Sequence, residues 1–552
     1  MENIAVTDWF TKKRETIVYP GESDKKLDEL VVKIIKGFKG DNLEDIADNV
    51  YKILKESNFY NQICSDSRLP VCSLFHHSKN TSGIAVCLAE QKADMMPDFK
   101  NKCLGQYGIP INASASYSSR DFRALIRLAS LLHDIGKPRS YTSQREGLPF
   151  YNHTTQTEEI LTQILEKASA AIVSRYELKK ILPKLAAKHH SRDSETILER
   201  VIGNADSIAS AADRIYEVMA NFENNSISVN STDKIFPHEI HFDEGDLQCL
   251  DTQHTEILGY YGRVTKSANS KSNEQTLTLF RDSVINGGVM QYLGTQSQIS
   301  GSIGVLALDI MQIQDYINEA EKLPMLRGGS SIVNDTLENA GKIIASKVCE
   351  EAILFRGGGN LLAFVPSDSE IQQDIKSEIK KAIREASYEG LEGAVATKIV
   401  QFKELNKFPD VLEAIQDEID KEKNESRRLK IIKPTNKNEV CPFCFKRKAS
   451  SFNGEKICKV CAEKKSSGLE QKHEKGNEYL DNELLKKYKL YRPSQLQEIG
   501  ESIAVIAIDG NMMGRIFMQT MTPAEYNYKS EIFDRNFKNE VRATIKEFIA
   551  LI

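Results

Sequence analysis

The chain has 552 residues, with 73 Lys and Arg against 78 Asp and Glu, a formal charge of −5. Its 40% hydrophobic and 27% charged residues are those of ordinary globular domains, which excludes a collagen-like or wholly disordered chain. The near-neutral balance also excludes a coat of basic charge, so any nucleic-acid contact must use local patches.

At about 150 residues per domain the length predicts three or four domains. No apolar run approaches the ~18 residues of a membrane span. The N-terminus (Met1, Glu2, Asn3, Ile4) lacks the apolar stretch of a secretion signal, so a cytoplasmic protein with no membrane contact is expected. Six cysteines (Cys64, Cys72, Cys87, Cys103, Cys249, Cys349) are scattered singly and read as buried free thiols.

In chain order, residues 1–64 read as an N-terminal helical segment. Residues 65–220 carry helical periodicity and a set of His and Asp. Asn- and Ser-rich stretches at 221–234 and 265–275 mark 221–300 as a linker. A new pattern opens at 301: strand 303–309, helix 330–347, strands 351–356 and 361–365 around a Gly run, helix 369–387, strand 392–401. This β-α-β-β-α-β order over 301–408 is the ferredoxin-like arrangement, with the Gly run as a hairpin turn. A charged helix at 409–430 and a four-Cys segment fill 409–470, followed by a polar linker at 471–500. Residues 501–552 open a second copy, since VIAIDGNMMGRIF (505–517) repeats VLALDIMQIQDYI (305–317). The fold class expected is a multidomain α+β chain.

The main chemical signal is His133-Asp134 in LASLLHDIGKP, after a helix with an apolar stripe at Leu125, Leu128, Leu132 and Ile135 that Gly136 and Pro138 should stop. Helical spacing puts His77 on an inward stripe of 74–88 and His76 off it. It puts His189 on an inward stripe of 178–190, with His190 beside it, and Asp206 on one of 201–212. Buried imidazoles and carboxylates without partners are costly, and several converging in one domain are best satisfied by divalent metal.

The order His77, His133-Asp134, His153, His189-His190, Asp206 resembles the HD superfamily of metal-dependent phosphohydrolases. The resemblance implies that His77, His133, Asp134 and Asp206 hold one metal. His153, His189 and His190 complete a second, with Asp134 bridging. Such metals generate hydroxide and clamp phosphate oxygens, and mixed imidazole and carboxylate ligation suits Mn, Ni or Co as well as Mg. Lys137 reads either as a group steadying a phosphate or as a solvated lysine at a helix end.

Cys441, Cys444, Cys458 and Cys461 form two C-x2-C pairs, the spacing of a ribbon holding structural zinc in a closed shell. The surrounding 421–465 carries 14 Lys and Arg against 5 Asp and Glu. That charge reads equally as a track for a phosphate backbone or as a solvated face.

A ferredoxin-like unit with Asp309 ending its first strand is similar to the palm of nucleotide polymerases and cyclases. Those use acidic residues in the central turn to complete a metal pair. Here the turn is Gly357-Gly358-Gly359-Asn360, so the first palm should be catalytically silent while its glycines admit a nucleotide such as ATP.

The order of HD set, palm, four-Cys finger and second palm resembles the large subunit of type III CRISPR effector complexes. The strings that carry it are SLFHHSKNTSGIA (73–85), NADSIASAADR (204–214), LDIMQIQDYI (308–317), LRGGSS (326–331) and FRGGGN (355–360). The resemblance implies an antiviral complex with guide RNA, target RNA and small subunits. It implies an HD nuclease that cuts single-stranded DNA, and palms that make cyclic oligoadenylate from ATP, with Asp509 as metal ligand in the second. The chain departs from that pattern: no Gly-Gly-Asp-Asp occurs in it, Asn511 stands where an acidic residue is expected, and about 43 residues follow Asp509. An incomplete second palm is therefore expected, from truncation or a split gene, with the HD site as the complete one. The competing reading is a stand-alone HD phosphohydrolase of nucleotides or cyclic nucleotides with a ferredoxin-like sensor.

Overall fold

The computed structural model describes residues 23–62, 73–139 except 97, 153–190, 194–212, 301–426, 439–473 except 453, and 522–551. It also describes four short strands and a few single residues between these stretches. The architecture is α+β: a helical domain, an antiparallel sheet with helices, and a four-Cys ribbon.

The N-terminal stretch departs from the all-helical expectation. Strands β1 (Asn3–Asp8) and β2 (Arg14–Val18) pair antiparallel, and β1 also pairs with β3 (His238–His241), which runs parallel to β4 (Gly262–Val264). Ile4, Val6, Thr7, Thr16, Ile17 and Val18 are β-branched, a local preference that outweighs the helical pattern further along. Two strands thus come from the segment read as linker, whose Asn/Ser-rich stretches lie outside the described residues. Helices α1 (Ser23–Gly37) and α2 (Leu43–Lys55) follow the first two strands.

The helical domain is organised around α3 (Leu74–Met95), capped by the Ser73 hydroxyl accepting from the His76 amide. Every side chain from Leu74 to Ala89 is buried, so this part of α3 has no solvent face and the expectation that His76 points away from the interior fails. Helix α4 (Ser119–Leu132) starts at a Ser118–Asp121 capping box. Asp121 also accepts from the Leu43 amide, tying α4 to α2. The apolar stripe Leu125, Leu128, Leu132 and Ile135 is fully buried. Helix α4 stops at Leu132, before Gly136 and Pro138, so His133-Asp134 lies in the turn rather than on the helix. Helices α5 (His153–Lys167), α6 (Leu178–Ala187) and α7 (Ile197–Ala212) complete the domain. The helix expected to reach 190 gives way to a 3-10 turn at Lys188–His190.

The second unit has strands β5 (Ser302–Met311), β6 (Ile353–Gly357), β7 (Asn360–Val365) and β8 (Glu392–Gln401), in antiparallel order β6-β7-β5-β8. With helices α8 (Leu323–Lys347) and α9 (Ser369–Ala386) as crossovers, this is the ferredoxin-like topology. Gly358 and Gly359 both have positive φ (59° and 87°), which the two-residue hairpin turn requires. Helix α10 (Phe408–Ser426) leads toward the ribbon, whose hairpin β9 (Ser450–Phe452) and β10 (Glu455–Ile457) is followed by α11 (Lys459–His473). Helix α12 (Pro523–Leu551) closes the chain. The opening strand expected for a second palm, with Asp509, lies outside the described residues.

Helices α8 and α11 pack backbone to backbone. A Cβ at Gly328 would lie 1.8 Å from the Lys464 carbonyl oxygen, and one at Gly468 would lie 1.8 Å from that of Pro324. The glycines of LRGGSS thus serve helix contact with the ribbon. The helical domain meets the sheet unit through a buried ion pair: Arg127 Nε lies 2.9 Å from Glu351 Oε2, while Arg127 Nη2 reaches Asp48 at 2.7 Å. Glu351 is fully buried, so removing its partner strands a charge. Arg127→Ala is expected to destabilise the chain by about 3–5 kcal/mol, and Arg127→Met with Glu351→Leu by much less. Urea unfolding of both variants decides it; equal losses would show that packing rather than the unpaired carboxylate sets the cost.

Candidate metal centre

Five elements bring the His/Asp set together. Helix α3 supplies His77, the turn after α4 supplies His133 and Asp134, α5 begins with His153, the 3-10 turn supplies His189 and His190, and α7 supplies Asp206. Two glycines allow the approach. A Cβ at Gly136 would sit 2.2 Å from the His153 carbonyl oxygen, and one at Gly203 would sit 2.5 Å from that of His189.

The ligand atoms form two overlapping groups. His77, His133, Asp134 and Asp206 make one, and Asp134, His153, His189 and His190 make the other, with the atoms of each within 4.8 Å of one another. Asp134 belongs to both. Its Oδ2 lies 3.2 Å from His133 Nε2 and 3.5 Å from His77 Nε2, while its Oδ1 lies 3.5 Å from His189 Nε2 and 3.6 Å from His153 Nε2. Asp206 Oδ1 is 3.0 Å from His77 Nε2, and its Oδ2 is 3.5 Å from His190 Nδ1.

The outer ring nitrogens explain the orientation. His133 Nδ1 donates to the Ser130 carbonyl at 2.6 Å, and His189 Nδ1 donates to the Ala186 carbonyl at 2.6 Å. A carbonyl only accepts, so each Nδ1 carries a proton and each ring turns its Nε2 inward. Those two Nε2 atoms are buried without a well-formed hydrogen bond. Orphaned inward ring nitrogens around a shared carboxylate are a donor set that fits divalent cations.

Electrostatics agree. Burial pulls the His133 imidazole down, but Asp134 and Asp206 outweigh it and raise it to about 10, so without metal its Nε2 holds a proton that a bound cation would displace. Burial opposes ionisation of Asp134, yet His133 and Lys137 hold its carboxyl well below the usual range. Asp206 is likewise held low against burial, by His133 and His77. His153 is pushed down to about 3, by burial first, with Asp134 opposing and Lys137 and His189 adding to it. The first group therefore calls for positive charge, and His153 is kept neutral as a ligand must be.

Lys137 is not a solvated lysine: its ammonium lies 2.6 Å from Asp134 Oδ2 and donates to the Ser65 carbonyl. Sequence reading missed Thr157, whose hydroxyl donates to the His133 carbonyl at 2.9 Å and accepts from the Gly136 amide at 3.1 Å. Its only trace was a place one turn after His153.

At the sheet, Asp309 pairs across the strands with Asn360, so Asp309 and Gly357–Asn360 share one end. Lys423 from α10 sets its ammonium 2.6 Å from Asp309 Oδ2. A resident cation thus stands against the carboxylate where the palm resemblance puts a metal.

The four cysteines are buried, and their sulfurs lie within 4.8 Å of one another. Cys444 and Cys458 sulfurs are 3.8 Å apart, too far for a disulfide. That is close to the edge of a tetrahedron with Zn–S of about 2.3 Å, which is about 3.8 Å. Among the described residues, part of the basic charge around them is taken up internally. Arg447 and Lys464 each lie 2.7 Å from Glu319 Oε1, with Lys446 at 3.7 Å from Oε2, while Lys448 meets Glu439 and Lys465 meets Glu455. The fully buried Lys464 also lies 3.6 Å from the Tyr316 ring centroid. Arg447 and Lys464 are thus fastened internally, whereas Lys448 keeps a solvated side chain and the basic residues of 427–438 lie outside the described residues.

Residues 74–216 match the family model described as HD domain. No curated protein matches the chain. Among solved structures, the chain is similar to the apo Csm1-Csm4 cassette, at 16% identity and TM-score 0.30, covering 55% of this chain and 48% of that one. The same figures hold for the Csm1-Csm4 subcomplex in the type III-A CRISPR-Csm interference complex. For the cassette in complex with cA4 they are 15% and 0.31, covering 60% and 55%. The chain spans about half the length of these chains. No described helix is long and apolar enough to cross a membrane.

The cysteine geometry makes a direct prediction. The purified chain should contain about one zinc, and Cys444→Ser should release it and lower the melting temperature, because structural zinc contributes folding energy. Elemental analysis of reduced protein finding no zinc would rule the site out.

Proposed function

We propose that the chain is the large subunit of a type III CRISPR effector complex whose HD domain is a metal-dependent nuclease for single-stranded DNA. The carrying observation is the Asp134 carboxylate set between two groups of imidazoles, with the inward Nε2 atoms of His133 and His189 buried without a well-formed hydrogen bond. Bound Mn, Co, Ni or Mg would supply hydroxide at neutral pH and polarise a phosphodiester oxygen. His77, His133, Asp134 and Asp206 would hold one ion, and His153, His189 and His190 the other, with Asp134 shared. The Ser130 and Ala186 carbonyls keep the rings in register. Lys137 holds Asp134 ionised. The order of HD set, palm and four-Cys finger supports the CRISPR assignment, since a stand-alone nucleotide hydrolase has no need of the last two. Guide RNA, target RNA and small subunits are the partners this reading implies.

In the intact chain, Mn²⁺-dependent cleavage of labelled single-stranded DNA should fall below detection in the double variant His133→Ala, Asp134→Ala. A double variant cutting at the wild-type rate would remove the assignment. Hydrolysis of nucleotides with no cutting of DNA would favour the stand-alone phosphohydrolase.

The first palm is expected to bind ATP without turning it over. Two-metal transfer needs carboxylates from strand end and turn. The turn here has none, and Lys423 neutralises Asp309. Incubation of the chain with labelled ATP and Mg²⁺ should yield no cyclic oligoadenylate; accumulation of cyclic product would show a working palm.

A further inference from the structure

Helix α3 carries two kinds of chemistry on two sides. His77 faces Asp134 and Asp206. His76, Lys79, Asn80 and Gly83 fall on another stripe at i, i+3, i+4 and i+7. Gly83 lies against the 350–352 turn of the sheet unit, where a Cβ would come 2.9 Å from the Ala352 Cα.

One turn nearer the metal centre, the stripe meets α12. Lys79 Nζ donates to Asn527 Oδ1 at 2.6 Å, and Asn527 Nδ2 donates to Asn80 Oδ1 at 3.0 Å. His76 Nε2 lies 3.4 Å from Glu531 Oε2, and the Tyr528 ring packs edge-on to His76 with centroids 6.1 Å apart. His76, Lys79, Asn80 and Asn527 are all buried. A buried lysine is costly unless its ammonium has partners, so this seam is a specific dock and not a chance contact.

The geometry points to Asn527 and Glu531 as positioning residues for the HD metal centre. By gripping His76, Lys79 and Asn80 they set the rotation and depth of α3, and with it the reach of His77 toward Asp134 and Asp206. Helix α12 thereby bears on the HD site without touching it. This inference rests on the metal reading of that site. Groups that orient metal ligands indirectly are typically worth about 10–100-fold in affinity.

The test is Mn²⁺ titration of the intact chain, followed by electron paramagnetic resonance. Amide exchange over 73–89 and zinc content are read in parallel. The double variant Asn527→Ala, Glu531→Ala should bind Mn²⁺ about tenfold more weakly, within the range above. Exchange over 73–89 should be faster and the zinc retained. Glu531→Ala alone should weaken binding, while Glu531→Gln, which keeps a polar oxygen facing His76, should restore it. Wild-type affinity and exchange in the double variant would overturn the inference. If the double variant loses its zinc and misfolds, equal Mn²⁺ affinities for Glu531→Ala and Glu531→Gln would overturn it instead. A wild-type chain that keeps zinc but takes up no Mn²⁺ would overturn the metal reading and this inference together.

Discussion

A carboxylate shut away from water is tolerable only where positive charge or hydrogen-bond donors meet it, and Asp134 imposes that condition on the whole helical domain. Its side chain is fully buried, with imidazoles on both oxygens and the Lys137 ammonium at 2.6 Å. Uncompensated, such a charge costs several kcal/mol. The elements around it are built to compensate it. Helix α4 ends one residue before His133, and the turn presents His133 and Asp134 side by side. Gly136 and Gly203 remove the Cβ atoms that would keep His153 and His189 away. Backbone sterics here serve an electrostatic requirement.

The same requirement makes α3 a shared wall rather than a surface helix. One side completes the carboxylate cluster through His77, and the opposite stripe is covered by the sheet unit and α12. The helical domain and the sheet unit therefore meet in part through ionic and polar groups, among them the buried pair of Arg127 and Glu351. Buried pairs of this kind add little net stability but penalise any displaced arrangement, because separation strands both charges. The interface favours one relative placement of the two units.

Charge compensation also explains the ribbon. Glu319 is nearly buried and draws Lys446, Arg447 and Lys464 inward, so a stretch rich in Lys and Arg becomes an internal fastening. With the Gly328 and Gly468 contacts it anchors the four-Cys unit to α8. Lys423 and Asp309 repeat the principle at the sheet end. A carboxylate that would otherwise attract a metal is met by a lysine from the next helix.

Local pattern in the sequence determined much of this protein. The βαββαβ order, the apolar stripe of α4, the two C-x2-C pairs and the candidate ligands from His77 to Asp206 depend on spacing within a few residues, and period and turn chemistry record spacing directly. The short strand at 3–8 escaped because, besides its pairing with 14–18, it pairs with a segment more than 200 residues away. The inward His76 escaped because a helix buried all round has no amphipathic signature. The sharing of Asp134 was already implied by the HD resemblance, whereas which cation faces Asp309 and how Glu319 gathers three basic side chains were decided only in the tertiary structure. Coulombic partners act through space, and a sequence lists charges without the distances that set their energies.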